Sequence, residues 1–390
     1  KETEDELLRI LGDGVLAKES YTHEYPHCWR CATPLLYYAR KAWWVRVTAV
    51  KEKLITNNKL VNWVPSHLKN GRFGEFLKDM RDWAFSRERY WGTPLPVWRC
   101  GKCSHTEVLG SRKELAAKGG KARNNYFVMR HGESEANIKD IAGARDGRYP
   151  LTAKGRAQAE KTTAVLKRRA IDMIIASPVK RTSETAEIIA KKLKVKIVHD
   201  KRLIEIDVGI FAGRSSADYH AHFSSYLEKF TKRPPEGESL ADVRKRMLAV
   251  VEELECKYKG KNILLVSHEY PIWALVGGAA GLTDIETVVL RKGKRAKDFI
   301  AFAEVMPCAY ARVPRDERGE INLHRPYVDD FRYSCVKVKC GGAMRRVPEV
   351  ADVWFDSGAM PFAAAHWPFQ HARDLAFPAE FIAEGVDQTR

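Results

Sequence analysis

Tryptophan and cysteine divide this chain before any motif is read. The ten Trp stand at positions 29, 43, 44, 63, 83, 91, 98, 273, 354 and 367, so the long middle from Lys121 to Arg312 contains one of them. Six of the eight cysteines lie outside that middle in close pairs, Cys28 with Cys31, Cys100 with Cys103 and Cys335 with Cys340, whereas Cys256 and Cys308 stand alone. Close pairs are a ligand pattern and isolated thiols are not. Free thiols beside CxxC pairs suit a reducing, cytoplasmic setting better than a secreted disulfide framework. Two seams fall where the composition changes: Lys118 to Asn125 (KGGKARNN) is Gly-rich and basic, and Val313 to Glu320 (VPRDERGE) is charged with one Pro and one Gly. The pattern predicts one domain inserted into another, with segments 1–120, 121–313 and 314–390. A length of 390 residues and 45% apolar content are enough for two or three buried cores. The net charge of +17 fits a polyanionic partner or a phosphorylated substrate without choosing between them. The most apolar stretch, Ile263 to Leu282, is interrupted by His268, Glu269 and Pro271, which argues against a membrane span. A first residue Lys1 with no leader and a last residue Arg390 with no tail-like composition suggest an internal section of a longer protein.

The middle segment reads as alternating strands and helices. Short β-branched runs occur at Tyr126 to Met129, Met173 to Ala176 and Ile263 to Val266, and each is followed at once by polar residues. Helical periodicity covers Thr152 to Arg169, Val179 to Leu193 and Leu240 to Tyr258, the last opened by Ser239 as N-cap. Such alternation predicts a mostly parallel sheet covered on both faces, with its ligand beyond the carboxyl ends of the strands. At those ends stand Arg130 and His131, then Ser177 with Arg181, then Ser267 and His268. Two arginines that cannot deprotonate and two histidines on one edge can stabilise a transferring phosphoryl group without a metal.

The ordered set Arg130-His131-Gly132-Glu133-Ser134 with Asn137, Ser177-Pro178-Val179-Lys180-Arg181 with Thr185-Ala186, Leu203-Ile204-Glu205, and Val266-Ser267-His268 resembles the histidine phosphatase superfamily, which includes the phosphoglycerate mutases. The resemblance runs from about Asn124 to Arg312 and implies a three-layer α/β/α domain. It also implies that His131 is the nucleophile, that Arg130, Arg181 and His268 hold the phosphoryl oxygens, that Glu205 protonates the leaving group and that Asn137 contacts substrate. Chemistry then asks for two histidines in opposite protonation states and a carboxyl group with a raised pKa. Glu269 departs from the pattern, since relatives place Gly after the second histidine. The expected activity is hydrolysis of a small phosphomonoester; the alternatives are a mutase, or a silent domain kept as a binding or spacing module.

The flanks carry different motifs: Tyr25-Pro26-His27-Cys28-Trp29-Arg30-Cys31, Ser86-Arg87-Glu88-Arg89-Tyr90-Trp91-Gly92-Thr93-Pro94, Asp352-Val353-Trp354-Phe355-Asp356-Ser357-Gly358 and Glu384-Gly385-Val386-Asp387-Gln388-Thr389-Arg390. Together they resemble class I isoleucyl-tRNA synthetases over Leu7 to Cys103 and Asn322 to Arg390. The resemblance implies a split Rossmann-type catalytic host, with ATP, Mg and tRNA(Ile) as cofactors and partner of the parent protein. It implies that Trp354 lines the amino-acid pocket and that Glu384, Asp387 and Gln388 contact the aminoacyl-adenylate. The His-Ile-Gly-His and KMSKS signatures that hold ATP phosphates in that family are absent from the 390 residues, so the fragment alone is expected to lack ligase activity.

Structural zinc is bound by four thiolate or imidazole ligands delivered as two short hairpin pairs. Cys100 with Cys103 makes one pair, and Cys335 with Cys340, four residues between them, makes the second. Cys28 and Cys31 resemble half of a separate zinc site.

Overall fold

The computed structural model describes residues 2–20, 22–28, 31–35, 39–292, 298–369, 377–383 and 385. The chain divides into two compact units, Lys1–Ala84 and Phe85–Arg390. In the first, helices Lys51–Leu60 and Arg72–Lys78 pack together, and strands Trp44–Val45 and Trp83–Ala84 pair antiparallel. Aromatic side chains hold this small unit: Trp63 stacks at 4.9 Å on Phe73 and donates its indole N–H to Asn58 Oδ1 at 2.8 Å.

The second unit contains two larger sheets beside a two-stranded antiparallel pair, Ser86–Arg87 with Val350–Ala351. The strands of the larger two in chain order are β1 (Val97–Cys100), β2 (Thr106–Val108), β3 (Asn125–Arg130), β4 (Met173–Ala176), β5 (Lys196–His199), β6 (Asn262–Ser267), β7 (Val305–Cys308), β8 (Tyr333–Ser334) and β9 (Ala343–Arg346). The larger sheet has the order β7-β3-β6-β4-β5, parallel throughout except for the antiparallel edge strand β7. Side chains in a strand alternate between faces, and here the alternation divides the interior in two. Val128, Ile175, Ile263 and Leu265 enter one core, while Met129, Ile174, Ala176, Leu264 and Val266 enter the other. Both faces of the sheet are therefore buried, and the domain is a three-layer α/β/α sandwich.

The helices over those faces are, with one on a flank, α1 (Arg112–Lys118), α2 (Ala153–Lys167), α3 (Lys180–Leu193), α4 (Leu240–Lys257), α5 (Glu269–Ala280) and α6 (Asp284–Lys292). Helices α2 and α3 place Leu166, Ala186 and Ile189 in the second core, whereas α4 and α5 place Val243, Met247, Ile272 and Trp273 in the first. Ser239 caps α4 with a reciprocal box to Asp242, which fixes where the long helix starts. Strands β5 and β7 have no counterpart in the sequence reading: β5 is short and largely exposed, and β7 contains Pro307, tolerable on an edge.

The smaller sheet has the order β8-β9-β1-β2 and is antiparallel. It joins residues before and after the larger sheet, because β1 pairs with β9 through Met344 opposite Cys100. Trp98, 1% exposed, fills its core and donates to the Phe331 carbonyl at 3.2 Å. The paired strands contributed by the flanks are all antiparallel among the described residues. The two seams lie side by side: a Cβ on Gly119 would stand 2.2 Å from the Arg312 carbonyl oxygen, so only glycine permits the approach. No described helix is long and apolar enough to cross a membrane.

The first seam is fastened by one buried carboxylate. Glu255 accepts hydrogen bonds from the backbone N–H of Arg123 at 2.7 Å and of Asn124 at 3.1 Å, and from Tyr126 Oη at 2.8 Å. Removing it strands three donors, two of them, Asn124 N–H and Tyr126 Oη, buried. Glu255→Ala is expected to lower stability by about 3 kcal/mol, read as a shift in the denaturation midpoint; a loss under about 1 kcal/mol would show that the seam is held by other contacts.

Candidate functional site

Three strand ends converge. Arg130 closes β3 and His131 follows it, Ser177 follows β4, and Ser267 closes β6 with His268 next. Arg181 comes from the first turn of α3, which starts just after β4. Its guanidinium lies between the two imidazoles: Nε donates to His131 Nε2 at 3.0 Å, and one terminal nitrogen meets His268 Nδ1 at 2.9 Å. The other terminal nitrogen donates to the Ala144 carbonyl at 2.5 Å. The rings of His131 and His268 are 5.2 Å apart.

These contacts fix the tautomers. The Gly132 carbonyl, 2.7 Å from His131 Nδ1, can only accept, so Nδ1 carries the proton and Nε2 presents its lone pair to Arg181. At His268 the guanidinium can only donate to Nδ1, so Nε2 carries the proton and donates to Ser177 Oγ at 3.0 Å. Thr182 Oγ1 lies 3.3 Å from the same Nε2. Burial, reinforced by Arg181 and Arg130, pushes the His131 pKa well below its usual value. Burial and then Arg181 do the same to His268. The free site therefore holds both imidazoles neutral instead of in opposite protonation states, because both are buried beside one permanent cation.

Arg130 is anchored on several sides. One terminal nitrogen donates to the Ile300 carbonyl at 2.9 Å and pairs with Asp298 at 3.0 Å; the other stands 3.5 Å from Glu269. Its guanidinium lies 4.1 Å over the Phe302 ring. Glu269 also pairs with Arg291 at 2.7 Å and accepts the Phe299 N–H at 3.0 Å. The departure from the family pattern is thus engaged in orienting an arginine. Glu205 stands 3.9 Å from His268 Nδ1 and accepts the Ile206 N–H at 2.8 Å; burial raises its pKa against the pull of Arg181. Asn137 accepts two hydrogen bonds from Ser134, capping a one-turn helix at the rim. His131, Arg130, Arg181, Glu205 and Asn137 all line one cavity of about 700 Å³.

A second cluster lies on the smaller sheet. The thiols of Cys100, Cys103, Cys335 and Cys340 lie within 4.8 Å of one another, with Cys100 to Cys340 at 3.6 Å and Cys103 to Cys335 at 3.7 Å. A tetrahedron of sulfurs about 2.3 Å from a central zinc has edges of about 3.8 Å, whereas a disulfide needs about 2.05 Å. The spacing fits four ligands around one ion. The backbone N–H groups of Cys103 and Lys102 pull the Cys100 pKa down to about 6, favouring the thiolate that binds metal. A Cβ on Gly342 would stand 2.5 Å from Cys100 Sγ, so glycine is required beside the cluster.

A family model for class I tRNA synthetases (I, L, M and V) matches residues 5–144 and 294–390. The chain belongs to that family. A model for the histidine phosphatase superfamily (branch 1) matches residues 126–288, the segment holding His131, Arg181 and His268. The chain is similar to the isoleucine–tRNA ligase of Thermus thermophilus, 29% identical over 394 residues, covering all of this chain and 19% of the ligase. It is similar to that of Dehalococcoides mccartyi, 27% identical over 397 residues, covering all of this chain and 20% of the ligase. It therefore spans about a fifth of the length of these curated relatives. Among solved structures, a mycobacterial glucosyl-3-phosphoglycerate phosphatase in complex with VO3 is 22% identical, covering 48% of this chain and 96% of that one at a TM-score of 0.43.

Trp354 is not among the residues that line the cavity at His131. Trp354 lies at the start of helix α7 (Val353–Ala364), 56% exposed, behind the N-cap Asp352. Glu384, Asp387 and Gln388 lie outside the described residues. Ala32 donates its backbone N–H to the Cys28 carbonyl at 2.8 Å, and no group of three metal-ligand residues includes Cys28 or Cys31 among the described residues. Ser177 was part of the motif read from the sequence, whereas Thr182, Asp298 and Phe302 were not singled out; Thr182 directly follows Arg181, and Asp298 and Phe302 had no local signal.

Two buried neutral histidines make stability depend on pH. Their folded pKa values lie below the unfolded value near 6.5, so the unfolded chain binds more protons and stability falls as pH drops through that value. Glu205, with its pKa raised, works in the opposite sense above the unfolded value near 4.5. The slope of stability against pH between about 7 and 5.5 is expected to be positive and to flatten in His131→Asn, measured by chemical denaturation; an unchanged slope would show that His131 is not held neutral.

Proposed function

We propose that the 121–313 segment is an inserted phosphomonoesterase working through a phosphohistidine. The observation that carries this reading is the lone pair of His131 Nε2, held by a protonated Nδ1 and facing a guanidinium shared with a second histidine in an open cavity. A bound phosphoryl group takes the place that Arg181 Nε–H now has on that lone pair, and its negative charge draws Arg130, Arg181 and a protonated His268 onto its oxygens. His131 Nε2 attacks phosphorus, a P–N bond forms, and the bond to the leaving oxygen breaks. Glu205, whose pKa is raised by burial, gives its proton to the departing oxygen. The resulting carboxylate then takes a proton from water, which attacks phosphorus, breaks the P–N bond and releases inorganic phosphate. Atoms and charge balance without a metal at this site.

Phosphate release from p-nitrophenyl phosphate is expected to fall at least about a hundredfold in His131→Ala. Equal release by wild type and variant would leave the segment as a binding or spacing module. With Glu205→Gln, turnover of alkyl phosphates is expected to fall by about 10²-fold or more and that of p-nitrophenyl phosphate by less, since a good leaving group needs no proton.

We further propose that the flanks are part of an isoleucine–tRNA ligase, whose whole-chain activity is ATP-dependent attachment of isoleucine to tRNA. Family membership and the full-length alignment to isoleucine–tRNA ligases support this. ATP and Mg belong to that whole-protein reaction, and tRNA(Ile) is its partner. Trp354, with an exposed indole, is free to form an apolar pocket wall; Glu384, Asp387 and Gln388 are assigned to the adenylate by motif alone. The 390 residues by themselves are expected to give no isoleucine-dependent pyrophosphate exchange, and detectable exchange would overturn the assignment of those chemical steps to residues elsewhere.

Cys100, Cys103, Cys335 and Cys340 would hold one structural zinc, which supplies no chemistry beyond clamping the chain before and after the insert. Metal analysis is expected to find about one zinc per chain in wild type and a loss in Cys340→Ser. A chain without zinc that melts at an unchanged temperature would remove the site.

A further inference from the structure

The phosphoryl site occupies one end of the 700 Å³ cavity, and the cap segment around residues 216–229 provides much of the rest. There stands Lys229, 3% exposed, in the short helix Glu228–Thr231. Its ammonium lies 4.3 Å from the Tyr219 ring centre, 5.0 Å from Phe223, and 5.2 Å from both Tyr226 and Tyr270. It meets His220 Nδ1 at 2.9 Å and Tyr270 Oη at 3.2 Å, which leaves one of its three donors unassigned. No carboxylate among the described residues pairs with it. The nearby carboxylate, Glu269, is already taken by Arg291 at 2.7 Å and by Arg130.

A buried cation without a counter-ion is costly, and aromatic faces offset only part of the lost hydration. Burial accordingly pushes the Lys229 pKa down to about 7. A second polar group on the same wall is also unsatisfied: Tyr219 Oη, on a residue 2% exposed, has no hydrogen-bond partner among the described residues. An uncompensated ammonium on a residue that lines the cavity, beside an enclosed and orphaned phenol, describes half of an anion site. Because a single positive charge is uncompensated, the matching group carries a single negative charge, which distinguishes a carboxylate from a second phosphate.

We propose that this cavity selects phosphomonoesters whose leaving group bears a carboxylate, bound by Lys229 while the ester phosphate sits at His131. The assignment rests on the phosphatase reading for the position of the phosphate and adds the chemical class of the substrate. The rings of Phe223 and Tyr226 would flank the body between the two anionic ends.

The test uses matched pairs, 4-carboxyphenyl phosphate with 4-carbamoylphenyl phosphate and phosphoglycolate with its primary amide. Titration calorimetry on the full chain carrying His131→Ala measures affinity without turnover. For at least one pair the carboxylate is expected to bind about tenfold tighter than the amide, and adding Lys229→Met is expected to bring the two within about threefold. Equal affinities in every pair, or no measurable binding of the carboxylates, overturn the subsite. Since the unmutated lysine already discriminates the pair, failure of Lys229→Met to fold leaves that comparison decisive. Wild-type turnover of the amides is read separately: its absence would sink the phosphatase reading, whereas turnover with no carboxylate preference would sink only the subsite.

Discussion

One guanidinium organises the phosphatase-type site. Arg181 reaches His131 through Nε, His268 through one terminal nitrogen and a backbone carbonyl through the other, so its donors fix two tautomers and a loop together. Such an arrangement survives only where the cation cannot deprotonate and water cannot compete. Arginine meets the first condition and burial to 4% exposure the second. Its consequence is an imidazole at His131 that stays neutral while resting against positive charge. In the proposed reaction, an entering phosphoryl dianion would bring the counter-charge that the free site lacks.

The host depends on a different kind of constraint. Its two halves are distant in sequence yet adjoin as β1 and β9, and the cysteine pairs sit at the ends of those strands and their neighbours. Gly119 against Arg312 closes the remaining gap, so the inserted chain leaves and returns at nearly one point. An insertion with adjoining ends adds little loop-closure entropy to the host. The seam is not a passive hinge, however. Arg112 of α1 forms a bidentate pair with Glu286 of α6, and Arg291 at the far end of α6 pairs with Glu269 beside Arg130. The flank and Arg130 are thus connected through the two ends of one helix.

Much of the fold was legible because local signals agreed with one another. The β-branched runs at 126–129, 173–176 and 263–266 became the three central strands, and Ser239 opened its helix where capping chemistry placed it. The edge strands were not legible, since Lys196–His199 lacks a buried face and Val305–Cys308 carries a proline. Within the site, residues embedded in motifs were found and those contributed by unpatterned segments were not. Asp298, Phe302 and Lys229 belong to the second group; nothing in their neighbours announces that they face a cavity.

Sequence by itself determined the residue types at the strand ends, the paired cysteines and the change of composition at the seams, because each is a local pattern with a local physical cause. Tertiary structure decided what those residues do to one another. It set both histidines neutral by burying them beside the same cation, turned Glu269 from an oddity into a partner for two arginines, and surrounded Lys229 with rings and, among the described residues, no paired carboxylate. Charge state and desolvation depend on what lies within a few ångströms in space, and chain order does not encode that distance.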